Sequence, residues 1–328
     1  MLSLPQLDDV LSSAHVFALD LKSEFRSIKR RVGVLFEGPS GWSEFAPFVE
    51  YSDEIAARWL HAALEFGFSD VKVSGSAIQS NGIVPILNVE ATRELVSEYL
   101  HIYGLNVIKV KCSDDIESDI ERIKAILSVS PDFILRLDAN GTWSLPDAMK
   151  NAEALETYRD NIQYLEQPVR TLAEFKQLRT HTSIPLAADE SIRLSNFENL
   201  DELADYADFA ILKAIPLGGI QRALDIANQI TIPIVVSGSL DTSIGIIQGI
   251  ELASRLNPEL AHGFGTGLLF KDEVVAKPVI PMNSKVSAVR QVADPDLLKA
   301  AVLKVTRDEQ QWWRERVVRT YHLLEQSQ

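Results

Sequence analysis

The chain has 328 residues with 46 acidic and 32 basic side chains, which gives a formal net charge of −14. A protein this acidic repels nucleic acid and anionic membranes at long range, so we expect neither as a partner. The single cysteine, Cys112, excludes an intrachain disulfide and a cysteine-rich zinc site. The N-terminal residues do not resemble a secretory signal, and no run of about 18 apolar residues occurs, so we expect a cytoplasmic protein.

Residues 1–82 predict a small α+β module. Alternating apolar residues over 16–21 and 32–37 predict two antiparallel strands around a basic turn. The apolar spacing over 52–66 then predicts a helix, and Ser52 is a suitable N-cap.

Residues 83–285 alternate between short β-branched runs and longer amphipathic segments, which is typical of βαβ units. Seven strands and a weaker eighth are predicted over 83–89, 107–112, 133–137, 162–165, 184–188, 209–212, 232–236 and 260–264. The clearest helical patterns cover 114–127, 145–158, 220–229 and 244–255. About eight units in roughly 200 residues favour a (β/α) barrel. A doubly wound sheet is the alternative, and it is less favoured because no Gly-x-Gly-x-x-Gly follows the first strand.

Charged residues recur at the carboxyl ends of consecutive predicted strands, each about one βα unit after the previous one. In chain order they are Lys109 and Lys111, Asp138, Glu166, Asp189 and Lys213. In a parallel barrel these ends face one common mouth. A single Asp at a strand end is more often a helix cap, and a single Lys in a strand is more often a solvated edge residue. Their occurrence on five strands in succession favours an active site.

Three converging carboxylates repel one another unless a cation lies between them. Hard oxygen ligands suit Mg²⁺, with Mn²⁺ as the alternative ion, whereas zinc is disfavoured because no His or Cys shares the mouth. Lys109 and Lys111 point to the same side of their strand, and Lys213 approaches from across the barrel. A metal flanked by opposed ammonium groups is suited to removing a proton next to a carboxylate. His262 is assigned a structural role.

The series Lys109-x-Lys111, Asp138-Ala-Asn140, Glu166-Gln-Pro168, Asp189-Glu190-Ser191 and Leu212-Lys213 resembles the muconate-lactonizing subgroup of the enolase superfamily. The N-terminal motifs Phe25-Arg26-Ser27, Gly41-Trp42-Ser43-Glu44-Phe45-Ala46-Pro47-Phe48 and Ala56-Ala57-Arg58-Trp59 resemble the actinobacterial o-succinylbenzoate synthase family. The resemblance implies an α/β fold, a modified (β/α)7β-like TIM barrel over 83–285. Residues 1–82 would form an α+β capping domain, on which a helical segment over 286–328 would pack.

The resemblance also implies the reaction. It is the Mg²⁺-dependent syn-dehydration of 2-succinyl-6-hydroxy-2,4-cyclohexadiene-1-carboxylate to o-succinylbenzoate in menaquinone biosynthesis, so the enzyme would be a hydro-lyase. The implied partner is this small dianionic substrate, and the implied oligomeric state is a monomer.

Residue roles follow from the same resemblance. Lys111 would be the base, Lys213 would stabilise the enediolate by a cation–π contact, and Lys109 would tune Lys111. The metal ligands would be Asp138, Glu166 and Asp189. The substrate-binding residues would be Arg26, Arg136, Asn140, Ser237, Gly238, Ser239 and Gly263. The loop around Arg26 would close over the mouth and exclude water.

Two positions depart from the family pattern. Ser27 stands where glycine is expected, which bears on the flexibility of the capping loop. Asp241 stands where related sequences often carry Glu, which bears on contacts from the seventh strand.

Several other functions are compatible with part of this pattern. The same charged residues suit an N-acylamino acid racemase or dipeptide epimerase, because two opposed lysines allow a 1,1-proton transfer. A cycloisomerase is less favoured by the N-terminal motifs. A Schiff-base aldolase would leave the three carboxylates unexplained. A non-catalytic binding barrel is disfavoured because none of the charged groups is missing.

Overall fold

The computed structural model describes residues 4–194 and 200–327. No helix within these residues is both long and apolar enough to cross a membrane. The chain forms an N-terminal α+β module, a parallel barrel and a C-terminal helical segment.

The N-terminal module is a three-stranded antiparallel sheet with a helix on one side. Its elements are α1 (Leu7–Ser12), β1 (His15–Phe25), β2 (Ile28–Gly38), β3 (Gly41–Phe45) and α2 (Asp53–Phe68). The two predicted strands are confirmed, and each is longer than the sequence pattern indicates. The tight turn between them places Arg26 and Ser27 at φ 51° and 61°. As predicted, Ser52 caps α2, because its side chain accepts a hydrogen bond from the Ile55 amide.

Seven parallel strands form the barrel sheet in strictly sequential order. They are β5 (Gly82–Val84), β6 (Val107–Lys111), β7 (Ile134–Asp138), β8 (Ile162–Glu166), β9 (Leu186–Ala188), β10 (Phe209–Leu212) and β11 (Ile234–Val236). A doubly wound sheet reverses its strand order at a switch point, so this order excludes that alternative.

Helices connect the barrel strands, and two of them, α7 and α8, contribute residues to the cavity at the barrel mouth. They are α3 (Val89–His101), α4 (Ile116–Val129), α5 (Leu145–Leu155), α6 (Leu172–Arg179), α7 (Glu190–Leu194), α8 (Ala214–Leu217), α9 (Ile220–Ala227) and α10 (Ile246–Leu256). Three 3₁₀ segments cover Glu156–Tyr158, Leu200–Asp205 and Gly265–Leu269. The predicted helices are confirmed, with ends displaced by a few residues.

The weak eighth strand is reduced to two bridges that close the barrel. His262 pairs with Ser80 beside β5, and Gly263 pairs with Ser237 beside β11. The His262 ring lies inside this closure, where Nδ1 accepts from the Val236 amide at 2.9 Å and Nε2 lies 2.8 Å from the Asn257 carbonyl. These contacts confirm the structural role of His262.

The C-terminal segment packs on the N-terminal module. A small sheet pairs β4 (Ala77–Gln79) with β12 (Lys285–Ser287), and α11 (Pro295–Leu303) and α12 (Arg307–Gln326) follow. Trp313 is buried in the same hydrophobic cluster as Phe45 and contacts it edge-on at 6.1 Å between ring centres. Arg316 donates to the carbonyl of Tyr51 at 2.5 Å.

Candidate active site

A cavity lies between the carboxyl ends of the barrel strands and the N-terminal module. The barrel contributes Lys109, Lys111, Asp138, Asn140, Glu190, Arg193, Lys213, Ser237, Gly238, Ser239, Leu240 and Gly263 among others, and the N-terminal module contributes Phe25, Arg26, Phe48, Tyr51 and Trp59. Most of the predicted site residues therefore share one cavity.

Strand register places the charged side chains next to one another. Lys111 pairs with Asp138, and Asp138 pairs with Glu166, in the parallel ladders of β6, β7 and β8. Asp189 follows directly after β9 and is buried. Because side chains alternate along a strand, the lysines and carboxylates point into the barrel from its upper rows.

The ammonium groups bridge the carboxylates. Lys109 Nζ lies 2.8 Å from Asp138 Oδ2 and donates to Glu166 Oε1 at 2.8 Å. Lys111 Nζ donates to Asp138 Oδ2 at 2.6 Å and to Asn140 Oδ1 at 2.7 Å. On the other side of the cavity, Lys213 Nζ pairs with Asp189 Oδ2.

Burial and these charges shift the pKa values in opposite directions. Burial lowers the pKa of Lys111 below its usual value, and the neighbouring charge of Lys109 lowers it further. Burial alone would also lower the pKa of Lys109, but Asp138 and Glu166 outweigh burial and raise it well above its usual value. Lys111 is therefore the lysine of this pair that is easier to deprotonate, as a general base requires.

The carboxylates are also differentiated. Burial and the charge of Asp138 raise the pKa of Glu166 to about 7. Burial alone would raise the pKa of Asp189, but the charges of Lys213 and Arg193 outweigh burial and lower this pKa to about 2. The positive charges around Glu166 therefore do not compensate fully for its burial and for the neighbouring carboxylates.

These residues fit a hard divalent cation. Glu166 Oε2 and Asp189 Oδ1 are buried and accept no hydrogen bond from the described residues. Each is in an ion pair, with Lys109 Nζ at 2.8 Å and Arg193 Nε at 3.4 Å respectively. The donor set is three carboxylates at most 1% exposed, which suits Mg²⁺. Within residues 4–194 and 200–327, no three of the acidic, histidine or cysteine side chains lie close enough together to form a metal-ligand group. Lys109 and Lys111 share Asp138 Oδ2, an oxygen that a cation would take.

Gln167 fixes the backbone that carries Asp189. Its side-chain oxygen accepts from the amides of Asp189 and Ser191 at 3.0 and 3.1 Å, and its side-chain nitrogen donates to Val169 O and Ser191 Oγ. The residue is buried at φ 39°. A non-glycine residue in this region persists only where its surroundings hold it there. The Glu166-Gln167-Pro168 motif carries this function, which the sequence alone does not indicate.

The prediction that Arg136 contacts the substrate does not agree with its position. Arg136 lies one inward-facing row below Asp138 and pairs with Tyr164 in the ladder. Its guanidinium donates to Gln163 Oε1 at 2.7 Å and to Asn81 Oδ1 at 3.1 Å. It is 1% exposed and does not line the cavity. The ladder predicts which face a side chain occupies, whereas its depth depends on where the strand ends.

The N-terminal module brings aromatic residues that were not predicted as site residues, and α7 of the barrel brings Arg193. The Phe25 ring centre lies 5.4 Å from Lys111 Nζ, so this ring covers the ammonium group of the candidate base. The Tyr51 hydroxyl accepts from Arg26 and from Arg193, both at 3.4 Å. Arg26 also stacks on Phe48 at 4.3 Å from the ring centre. Arg26 was predicted in the site, but Tyr51 and Arg193 belong to no motif that could have indicated them.

Comparison with known proteins agrees with this arrangement. Family profiles described as "Enolase N-terminal domain-like" and "Enolase C-terminal domain-like" match residues 16–67 and 91–296. The o-succinylbenzoate synthase of Mycolicibacterium smegmatis is 41% identical over 98% of this chain and 99% of its own length. That of Mycobacterium marinum is 40% identical, over 97% and 96%. The chain belongs to the o-succinylbenzoate synthase family, a family of lyases within the enolase superfamily.

Solved structures of the superfamily share the fold at lower identity. The L-Ala-D/L-Glu epimerase from Bacillus subtilis superposes with a TM-score of 0.72 at 23% identity, covering 85% of this chain and 96% of that one. A dipeptide epimerase from Enterococcus faecalis, complexed with Mg and the dipeptide L-Leu-L-Tyr, gives a TM-score of 0.70 at 20% identity, covering 86% and 98%. At these identities the likeness shows the architecture, a barrel with an enolase-like N-terminal domain.

Proposed function

We propose that the protein catalyses the Mg²⁺-dependent syn-dehydration of 2-succinyl-6-hydroxy-2,4-cyclohexadiene-1-carboxylate to o-succinylbenzoate. The observation that carries the proposal is the register of β6, β7 and β8, which sets Lys111 beside Asp138 and Asp138 beside Glu166. Lys111 and Asp138 line the cavity, and Glu166 lies buried next to them. The pathway would be menaquinone biosynthesis, and the protein would act in the cytoplasm as a monomer on this small dianion.

Lys111 would move the proton. Burial and the charge of Lys109 lower the pKa of Lys111, so its neutral amine is accessible at moderate cost. The amine would take the proton α to the ring carboxylate and return it to the departing hydroxide on the same face. The net change is loss of one water molecule with aromatisation of the ring, so no oxidant or reductant is needed.

Asp138, Glu166 and Asp189 would hold Mg²⁺. When bound, the metal would supply positive charge that favours the substrate carboxylate and the charge that develops as its α-proton leaves. Asn140 would orient Lys111, since its side-chain oxygen lies 2.7 Å from Lys111 Nζ.

Lys213 would stabilise negative charge from the opposite face of the ring. It lines the same cavity as Lys111 but pairs with a different carboxylate, Asp189. The succinyl end would lie towards Arg26 and the 237–239 segment, which also line the cavity. The N-terminal module would exclude water above the ring, with Phe25 nearest to the base.

The decisive experiment incubates purified protein with the cyclohexadiene substrate and follows the loss of the substrate's diene absorbance. It is run with Mg²⁺ present and again after Mg²⁺ has been removed by a chelator. We expect turnover with Mg²⁺, loss on chelation and recovery when Mg²⁺ is restored. Turnover that persists without metal, or no turnover in any condition, contradicts the proposal.

A second activity is favoured by the placement of both lysines in one cavity. Lys111 and Lys213 come from different strands and pair with different carboxylates, so they could act as two separate bases in a 1,1-proton transfer. Deuterium exchange at the α-carbon of an N-succinylamino acid measures this racemase activity. If both lysines act as bases, Lys111→Ala and Lys213→Ala should each abolish exchange from one enantiomer only.

A further inference from the structure

The cavity wall that follows β11 is not held by the barrel alone. We call residues 237–240, which all line the cavity, the β11 wall. Leu240 at its end has φ 63°, in the left-handed region that disfavours a branched side chain. Its side chain is buried in the hydrophobic cluster of the N-terminal module. This conformation persists only where neighbouring groups hold it.

Arg31 on β2 binds the wall through its backbone carbonyls. Arg31 Nε donates to Leu240 O at 3.0 Å, and Nη2 lies 3.5 Å from Ser239 O and also donates to Ala46 O. The guanidinium is buried against Phe48, 4.3 Å from the ring centre. The Arg31 side chain therefore contacts two consecutive carbonyls of the barrel, those of Ser239 and Leu240, and at the same time a carbonyl of the N-terminal module, that of Ala46.

Two carboxylates bind backbone amides in the wall and just after it. Glu44 Oε2, from β3, accepts from Thr242 N at 2.9 Å and from Thr242 Oγ1 at 2.6 Å. Asp241 Oδ2 accepts from the Ser239 amide at 2.8 Å. The approach of Glu44 needs a glycine at 245, because a Cβ there would lie 2.4 Å from Glu44 Oε2.

The buried cluster of Arg31, Glu44 and Asp241 has one positive and two acidic groups. Glu44 Oε1 and Asp241 Oδ1 have no hydrogen-bond partner within the described residues. A proton on one carboxyl would neutralise the cluster and supply a missing donor. Burial and the charge of Asp241 raise the pKa of Glu44 to about 8, so Glu44 holds this proton near neutral pH.

We propose that Arg31 and Glu44 are positioning residues for the reaction, which clamp the β11 wall in its binding geometry together with Asp241. None of the three lines the cavity, so they act through the wall rather than on the substrate. The inference rests on the proposed function for its kinetic readout. It goes beyond that function because it states that residues of the N-terminal module hold one wall of the cavity in place.

The test compares two replacements of Glu44. Glu44→Gln keeps the oxygen that accepts from Thr242 and imitates a protonated carboxyl, so we expect kcat/KM within about threefold of wild type. Glu44→Ala frees the wall, and kcat/KM should fall roughly 10–100-fold, since a displacement of about 1 Å in a site has this cost. Loss of activity in Glu44→Gln, or normal kcat and KM in folded Glu44→Ala, overturns the proposal.

A matched control separates positioning from general stability. Glu251 is also a carboxylate at 1% exposure that accepts from a serine amide and hydroxyl, those of Ser74, but it does not line the cavity or touch the wall. Glu251→Ala should lower the melting temperature and leave kcat and KM unchanged. Should Glu44→Ala not fold, Thr242→Val removes the hydroxyl donor to Glu44, and a fall in kcat/KM of roughly 2–10-fold is expected. A folded Thr242→Val with wild-type kinetics counts against the clamp.

Hydrogen exchange tests the clamp without the reaction. The peptide spanning 236–245 should exchange faster in Glu44→Ala than in wild type, and at the wild-type rate in Glu44→Gln and Glu251→Ala. If wild type does not turn over the substrate but this exchange pattern holds, the proposed function fails and the clamp stands. If turnover is normal and the peptide exchanges equally in all variants, the clamp fails and the function stands.

Discussion

Two sides of one cavity are built by different means. On the side of β6 to β9, strand register alone sets Lys111, Asp138 and Glu166 beside one another, and the contacts among them are charged. On the side of β11, the wall is a loop held from a different module. Arg31 binds the backbone of the wall itself, and Glu44 binds Thr242 two residues after the wall ends. The barrel's hydrogen-bond ladders therefore place the charged side chains, whereas the opposite wall of the cavity is held by residues from outside the barrel.

The largest effect on the charged side should come from removing Lys111, the proposed base. Lys111→Ala should reduce kcat for dehydration by roughly 10³-fold or more, since general acid–base catalysis contributes about 10²–10⁴-fold and the residue also balances Asp138. Steady-state loss of diene absorbance measures this. The matched control is Lys124→Ala, since Lys124 is exposed on α4 and pairs only with Glu121 among the acidic side chains of the described structure. Near-normal turnover in Lys111→Ala would show that the base is another group.

The β11 side also contains a buried neutral histidine, which makes the stability of the fold sensitive to acid. His262 bonds the Val236 amide below the wall, and burial lowers its pKa from 6.5 to about 4. In the unfolded chain His262 titrates near 6.5, so between pH 6.5 and 4 the unfolded state binds more protons than the folded state. The free energy of unfolding should therefore fall as pH decreases, by about 3 kcal/mol from this residue over the whole interval.

Urea unfolding of wild type and His262→Gln between pH 7 and 4.5 measures this dependence. The variant should lose part of the slope of unfolding free energy against pH over this range. His322→Gln is the control, since the His322 side chain is 55% exposed and pairs with Glu325 on α12. Equal slopes in wild type and His262→Gln would mean that His262 does not titrate on unfolding.

A smaller effect, on Mg²⁺ affinity, should follow from removing the hydrogen bonds that hold the backbone of Asp189, with no change in the number of charged residues. Gln167→Met removes four hydrogen bonds, two of them to the backbone amides of Asp189 and Ser191. Groups that orient metal ligands typically affect metal affinity by about 10–100-fold. Calorimetric titration with Mg²⁺ should show a weaker affinity in this range. Gln248→Met is the matched control, because Gln248 is buried but neither side-chain polar atom has a partner in residues 4–194 and 200–327. It should bind Mg²⁺ like wild type and lose no stability.

The same contrast explains what could be predicted from the sequence. Lys111, Asp138 and Glu166 end strands of regular spacing, so their convergence follows from the βα rhythm alone. Arg136 lies on the predicted face but one row too deep, because periodicity gives direction and not depth. Tyr51 reaches the cavity from a loop after β3, through packing between modules separated along the chain. Such contacts leave no local pattern in the sequence.

The smallest effect should come from the N-terminal module's own polar contact with the cavity. Tyr51→Phe removes a hydroxyl that accepts from Arg26 and Arg193 at 3.4 Å. These contacts are long, so their loss is worth about 0.5–1.5 kcal/mol, which predicts a roughly 2–10-fold rise in KM with kcat unchanged. Tyr321→Phe is the control, since its hydroxyl donates to Pro5 O at 2.6 Å far from the cavity. If Tyr51→Phe instead lowers kcat, the N-terminal module takes part in the chemistry, and the division between the two sides of the cavity does not hold.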